Sequence, residues 1–162
     1  MTRVWKFGAN VDTDQIVPGR YAPYLRPNED LGKAAFIEAR PEFAEHAEPG
    51  DVIVADRNFG CGSSREYAPL ALRKRGIAAV VAPSFARIFY RNAINLGIPL
   101  FVSDEIAAAA RDGEAVELDR AAGRITLGGR GYDLPALPSF TQDIIDAGGI
   151  VNFVKANGRF PG

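Results

Sequence analysis

Residues 49–103 read PGDVIVADRNFGCGSSREYAPLALRKRGIAAVVAPSFARIFYRNAINLGIPLFVS, and their punctuation sets the architecture. Val52, Ile53 and Val54 form a β-branched run between Pro49-Gly50 and Asn58-Phe59-Gly60, the mark of a short buried strand. Residues 63–76 then predict a helix. Leu70, Ala71 and Leu72 are its apolar positions, Arg73, Lys74 and Arg75 stand where the helix dipole favours cations, and Gly76 is the stop. IAAVVAP at 77–83 is a second apolar strand, residues 84–97 a helix opened by Ser84 and closed by Gly97, and IPLFVS a third strand. Alternating strands and helices on short connections predict parallel βαβ units with right-handed crossovers.

Outward from this core, RVWKFG at 3–8 is strand-like, and residues 8–32 form a long loop punctuated by three prolines and three glycines. Long ordered loops often carry function, which makes this segment a second place to look for a site. Leu31, Ala34, Ala35 and Phe36 have roughly helical spacing and predict one or two short helices before Pro49. The C-terminal third changes character. AVELD, GRITLGG and RGYDLP are turn-separated strands of antiparallel type, and residues 143–158 predict a closing helix interrupted near Gly148-Gly149. The expectation is one α/β domain over 1–162, with a small parallel core and an added antiparallel layer.

Composition excludes several functions. Nineteen basic and twenty acidic residues leave a formal charge of −1, so there is no basic field to hold nucleic acid or an anionic membrane surface. The N-terminal residues lack an apolar core of signal-peptide length and no stretch suits a membrane span, which points to a cytoplasmic protein. Cys61 is the only cysteine, so neither an internal disulfide nor a multi-cysteine metal or iron–sulfur site can come from this chain. His46, the only histidine, lies among acidic and small residues in PEFAEHAEPG, a solvated setting that argues against a Ser-His-Asp triad.

The chemistry concentrates in NFGCGSSRE at 58–66. In an open α/β sheet ligands sit beyond the carboxyl ends of the strands, and a turn containing Gly60 and Gly62 before a helix suits an anion. Neither a phosphate-binding lysine nor a complete dinucleotide fingerprint is present. Two readings stand side by side. Ser63 and Glu66 spell S-x-x-E, a capping box, with Ser64 as an ordinary first-turn residue. Alternatively Ser63, Ser64 and Arg65 bind a carboxylate or phosphate, since a cation in the positive first turn of a helix calls for a compensating anion.

NFGCGSSRE, followed by APSFARIFYRNAINLG and preceded by NVDTDQIVPGRY, resembles the small subunits of the isopropylmalate isomerase and homoaconitase family, separate-chain counterparts of the swivelling domain of aconitase. The resemblance spans about residues 10–100, with one departure at Tyr67, where many members carry histidine. It implies a swivelling β/β/α fold and a hydro-lyase that moves a hydroxyl between adjacent carbons of a 2-alkylmalate-type acid, through a cis-alkene, as in leucine biosynthesis. The family's catalytic serine falls on Ser63, which would take a proton from carbon as an alkoxide, and its carboxylate-binding positions fall on Ser64 and Arg65. The resemblance also implies a partner, a large subunit carrying a 4Fe-4S cluster, with no cofactor or metal bound by this chain.

In the long loop, turn chemistry accounts for Asp12 and Asp14, whereas the resemblance puts Asp14 on an acid that organises a charged pair near the active site. It also puts Arg26, in YLR, where the family faces the variable group of its substrate. An arginine there suits the third carboxylate of a tricarboxylate, although its stem beside Leu25 is also compatible with an alkyl group. Arg87 is expected to brace the GCGSS loop through ion pairs, with Asn92 on the same helix. Isopropylmalate is the first substrate this reading gives and homoaconitate the second. A non-catalytic dicarboxylate-binding module is the alternative of a different class.

Overall fold

The computed structural model describes residues 1–161. Four short strands, β1 (Val4–Lys6), β2 (Val52–Val54), β3 (Ala79–Ala82) and β4 (Leu100–Val102), form a parallel sheet in the order β1-β2-β3-β4. Successive side chains alternate between its faces, as strand geometry requires. Trp5, Ile53, Val80, Ala82 and Leu100 enter one apolar core, and Val4, Val52, Val54, Ala79, Val81 and Phe101 enter another.

Helices cover the first face. They are α2 (Pro41–His46), α3 (Tyr67–Arg75), α4 (Arg87–Asn95) and α6 (Ser139–Asp146), with Phe43, Leu72, Phe89 and Ile144 reaching the shared core. Against the second face lie α5 (Asp104–Ala109) and an antiparallel sheet of β5 (Val116–Asp119), β6 (Arg124–Leu127) and β7 (Arg130–Asp133), which contribute Ile106, Val116, Ile125 and Leu127. The layers therefore run β/β/α. The expected interruption of the closing helix falls at Gly148-Gly149, between α6 and α7 (Ile150–Asn157).

Four details differ from the sequence expectation. The helix predicted from Ser63 starts at Tyr67, and Pro69 gives the reason: a proline in the first turn needs no N–H partner, whereas in the interior of a helix begun at Ser63 it would break the ladder. The helix predicted from Ser84 starts at Arg87, because Phe85 instead pairs in parallel with Phe59. Helix α5 was not anticipated, although Ser103 caps it, accepting the Ile106 N–H at 3.1 Å, and two acids fill its first turn. The long loop holds a short helix of its own, α1 (Thr13–Ile16), and 3₁₀ turns at Gly19–Tyr21 and Leu31–Ala34.

Candidate active site

The loops that leave β1, β2 and β3 meet beyond the carboxyl ends of these strands. Asn10 N–H donates to the Arg57 carbonyl at 2.9 Å, Gly60 N–H to Val11 at 2.7 Å, and Thr13 N–H to Cys61 at 2.8 Å. On the other side, Phe59 N–H donates to the Ser84 carbonyl at 3.1 Å, and Ala86 N–H to Phe59 at 3.0 Å. Side chains lock the entrances: Asn58 donates from Nδ2 to Asn10 Oδ1 at 3.0 Å, and Ser84 Oγ accepts the Asn58 N–H at 2.8 Å. Three sequence segments far apart in the chain thus become one surface.

Gly60 and Gly62 are needed for reasons of space as well as backbone. Gly60 has φ +86°, and a Cβ there would stand 2.2 Å from Phe89 Cγ. At Gly62, φ is +98° and a Cβ would approach the Asp12 carboxylate to 3.0 Å. Phe89 of α4 thus supports the turn directly beneath Gly60, and Asn92 donates from Nδ2 toward the Ser64 carbonyl at 3.5 Å. Arg87 was expected to give this support through ion pairs. It is instead exposed, with no hydrogen bond or ion pair among the described residues, because two residues before Phe89 it lies about 200° around α4 from the side chain that faces the loop.

Residues 62–66 are all exposed. Ser63 is nonetheless held at three points by Thr13: its N–H donates to Thr13 Oγ1 at 3.1 Å, its carbonyl accepts the Thr13 hydroxyl at 3.3 Å, and the two hydroxyl oxygens lie 3.2 Å apart. Of the two readings of Ser63 and Glu66, the capping box does not form, since α3 begins later and Glu66 makes no side-chain cap. A reciprocal cap occurs instead on α1, where the Asp12 carboxylate accepts the Asp14 N–H at 2.6 Å and Gln15 Oε1 accepts the Asp12 N–H at 2.8 Å. The Ser64 hydroxyl has no partner among the described residues.

Arg65 Nη1 donates to Asp14 Oδ1 at 2.8 Å, with side-chain exposures of 39% and 63%. Asp12 and Asp14 therefore separate: the first serves turn chemistry, the second pairs with the arginine. The Tyr67 phenolic oxygen beside Arg65 is the first cause that holds its guanidinium above the ordinary value, with Asp14 and Tyr24 adding to it. The Tyr67 hydroxyl itself is buried without a hydrogen bond of ordinary geometry, and its ring centroid is 5.8 Å from the Arg65 guanidinium carbon. Arg65 keeps further N–H donors in a planar fork, the geometry that grips a carboxylate.

The turn at Gly19 reaches this arginine, since a Cβ on Gly19 would lie 3.5 Å from Arg65 Nη1. Arg26 is held within the same loop. Its Nε donates to the Arg20 carbonyl at 2.7 Å, Nη1 donates to Glu29 at 3.2 Å, and the guanidinium lies 4.5 Å from the centre of the Tyr21 ring. Nη2 has no partner among the described residues. Thr13 is the residue the sequence reading passed over. Its spacing from Ile16, i to i+3 in a segment read as loop, was the signal that it faces inward.

The arrangement offers a hydroxyl on a restrained backbone, a second free hydroxyl and a guanidinium fork, all open to solvent. The chain is similar to known proteins over most of its length. Residues 6–105 match the aconitase C-terminal domain family. A homoaconitase small subunit from Thermus thermophilus is 47% identical over 162 residues, covering 100% of this chain and 99% of the relative. A 3-isopropylmalate dehydratase small subunit from Methanopyrus kandleri is 51% identical over 158 residues, covering 96% and 92%. The crystal structure of a 3-isopropylmalate dehydratase from Methanocaldococcus jannaschii superposes with a TM-score of 0.86 at 40% identity, covering 97% of this chain and 93% of the other.

Proposed function

Because the chain belongs to the aconitase C-terminal domain family, we propose that it is the small subunit of a 3-isopropylmalate dehydratase, a hydro-lyase that interconverts 2- and 3-isopropylmalate in leucine biosynthesis. The observation that carries the reading is the near-full-length similarity to chains named as that subunit, including one from Deinococcus radiodurans that is 48% identical over 162 residues. On this reading residues 1–162 form one swivelling domain, which works in the cytoplasm.

Cys61 is the chain's only cysteine, and no group of His, Cys, Asp or Glu side chains fit to hold a metal ion occurs among the described residues, so these residues do not fit an iron–sulfur cluster. The 4Fe-4S cluster of such an enzyme belongs on a large partner subunit, where it supplies the Lewis acidity for loss of the hydroxyl. This chain contributes binding and proton transfer. Arg65 and Ser64 hold a substrate carboxylate, Asp14 keeps the Arg65 fork in position, and Ser63 Oγ takes the proton from the substrate carbon and returns it on rehydration. Gly60, Gly62 and Phe89 hold the turn that presents these groups.

A serine hydroxyl in water is far too weak an acid to serve as an alkoxide. Ser63 is exposed in the lone chain, so docking of the large subunit must exclude water and complete the positive pocket, in which each well-aimed donor contributes about 3 kcal/mol. Activity is therefore expected only in the assembled enzyme.

Arg26 supports homoaconitate as a second substrate reading. Its unpartnered Nη2 can meet a third carboxylate, and the Thermus thermophilus relative is named a homoaconitase small subunit. The test is anaerobic turnover of isopropylmalate and homoaconitate in parallel, with and without a cluster-loaded large subunit, following the alkene chromophore. Activity in the mixture alone is expected. Turnover of neither acid, together with tight dicarboxylate binding by the lone chain, would favour a binding module instead. Arg26→Val should shift the substrate ratio toward isopropylmalate, and an unchanged ratio would remove Arg26 as selector.

A further inference from the structure

We infer that Thr13 is a positioning residue for proton transfer, a hydroxyl whose single hydrogen turns to donate a hydrogen bond to Ser63 Oγ when Ser63 carries negative charge. The inference rests on the reading of Ser63 as the base. Thr13 is only 2% exposed, and its Oγ1 is the one side-chain partner that Ser63 Oγ has among the described residues. Its backbone is fixed as well. Thr13 N–H donates to the Cys61 carbonyl at 2.8 Å, its carbonyl accepts the Val17 N–H at 2.9 Å, and the reciprocal cap of Asp12 and Gln15 surrounds it. A β-branched side chain has a restricted χ1, so Oγ1 stays where these contacts place it.

Counting protons and lone pairs defines what the hydroxyl can do. Oγ1 carries one hydrogen and accepts two hydrogen bonds, and the Ser63 N–H, at 3.1 Å, takes one acceptor place. The hydrogen has two acceptors at nearly equal distance, the Ser63 carbonyl at 3.3 Å and Ser63 Oγ at 3.2 Å. With Ser63 neutral, the Thr13 hydrogen can rest on the carbonyl while the Ser63 hydroxyl donates back to Oγ1. With Ser63 ionised, the alkoxide is the stronger acceptor and can donate nothing, so the Thr13 hydrogen turns to it. A rotation of one hydroxyl thus accompanies each proton transfer and keeps Ser63 Oγ aimed, with no movement of heavy atoms. When the alkoxide accepts the substrate proton, the new O–H bond forms on Ser63 and the Thr13 hydrogen is released to the carbonyl.

The test uses the assembled two-subunit enzyme. Thr13→Val keeps the shape of the side chain and removes the hydroxyl. Its kcat is expected to fall about 100-fold, the scale for losing one donor to an oxyanion, because less of Ser63 is then held ionised for abstraction, with KM within about twofold. The deuterium isotope effect on the abstracted hydrogen should rise, because proton transfer becomes slower relative to other steps. Thr13→Ser should restore kcat to within about fivefold, since the hydroxyl returns with only a looser χ1. An unchanged kcat and isotope effect in Thr13→Val would overturn the inference, as would a Thr13→Ser enzyme as slow as Thr13→Val. If Thr13→Val fails to assemble, Thr13→Cys, with its weak S–H donor, carries the same expectation, and full turnover in that variant overturns it. Ser63→Ala separates the two levels: retained turnover there removes the base itself, whereas an inactive Ser63→Ala beside a fully active Thr13→Val removes only the role of Thr13.

Discussion

The two ends of the parallel sheet treat polar groups in opposite ways. At the amino end, Asp51 is 1% exposed and its carboxylate accepts three donors: Arg3 N–H at 3.0 Å, Trp5 Nε1–H at 2.9 Å and Glu48 N–H at 2.9 Å. At the carboxyl end, Ser63, Ser64 and Arg65 are exposed, Ser64 Oγ has no partner among the described residues, and Arg65 engages one carboxylate with one nitrogen. A satisfied, buried carboxylate ties β1 to the start of β2 and has nothing left to offer a ligand. The other end holds its backbone by hydrogen bonds between loops and leaves its side chains open. Rigid loops with unsatisfied tips are what a site needs when a second subunit and a substrate are to complete it.

The largest expected effect tests the open end. Ser63→Ala should reduce turnover of the assembled enzyme on the order of 1000-fold, the range for losing a positioned acid–base group, while its melting temperature stays close to that of the parent. Steady-state kinetics and thermal melting on one preparation check both halves. Comparable losses of stability and activity would break the comparison, because Ser63 would then be structural.

The buried end comes next. Asp51→Ala leaves the donors of Arg3, Trp5 and Glu48 without their acceptor, and a loss of about 3 kcal/mol in unfolding free energy is expected, since each buried unsatisfied group costs about 1–3 kcal/mol and relaxation recovers part. Denaturant unfolding of the subunit measures it. Turnover per folded enzyme should be unchanged, and a specific catalytic loss would mean that the two ends are coupled through β1 and β2.

Most of this division was legible in the sequence. Val52–Val54, Ala79–Ala82 and the strand around Phe101 stand out as apolar runs between turns, so the parallel sheet follows from pattern alone. The glycine turn followed by two serines and an arginine marks the proposed site, because those residues make poor sense as core. What pattern could not give was contact across sequence. The Arg65–Asp14 pair joins positions 51 residues apart, and Thr13 meets Ser63 across 50. The helix starts were misread because serines before an apolar run look like caps, whereas Ser63 and Ser84 spend their hydrogen bonds on neighbouring loops. Pro69 was the correcting signal.

A third acid sharpens the comparison, because it stands beside the edge strand and yet belongs with the structural group. Asp112 accepts the Lys6 N–H at 2.9 Å on the outer edge of β1 and pairs with Arg40 Nη2 at 2.7 Å, while Arg40 Nη1 donates to the Lys6 carbonyl at 2.7 Å. Both outward polar groups of Lys6 are thereby closed, which protects the edge from pairing with another chain. Partial burial alone would push the Asp112 carboxyl up, but the Lys6 N–H and the Arg40 guanidinium outweigh it and hold the carboxyl below its ordinary value of 3.8. Because the folded state then binds the proton less readily than the unfolded chain, the contribution is complete above the unfolded value near pH 4 and is lost as pH falls through the lower, folded one. Asp112→Asn should therefore cost no more than about 1 kcal/mol at neutral pH, as befits a half-exposed pair, and should flatten the fall of melting temperature below about pH 4. Turnover in the assembled enzyme should not change. A variant with the parental acid profile would show that Asp112 gains nothing from its partners, and one with reduced turnover would move the boundary of the functional end outward along β1 to Lys6.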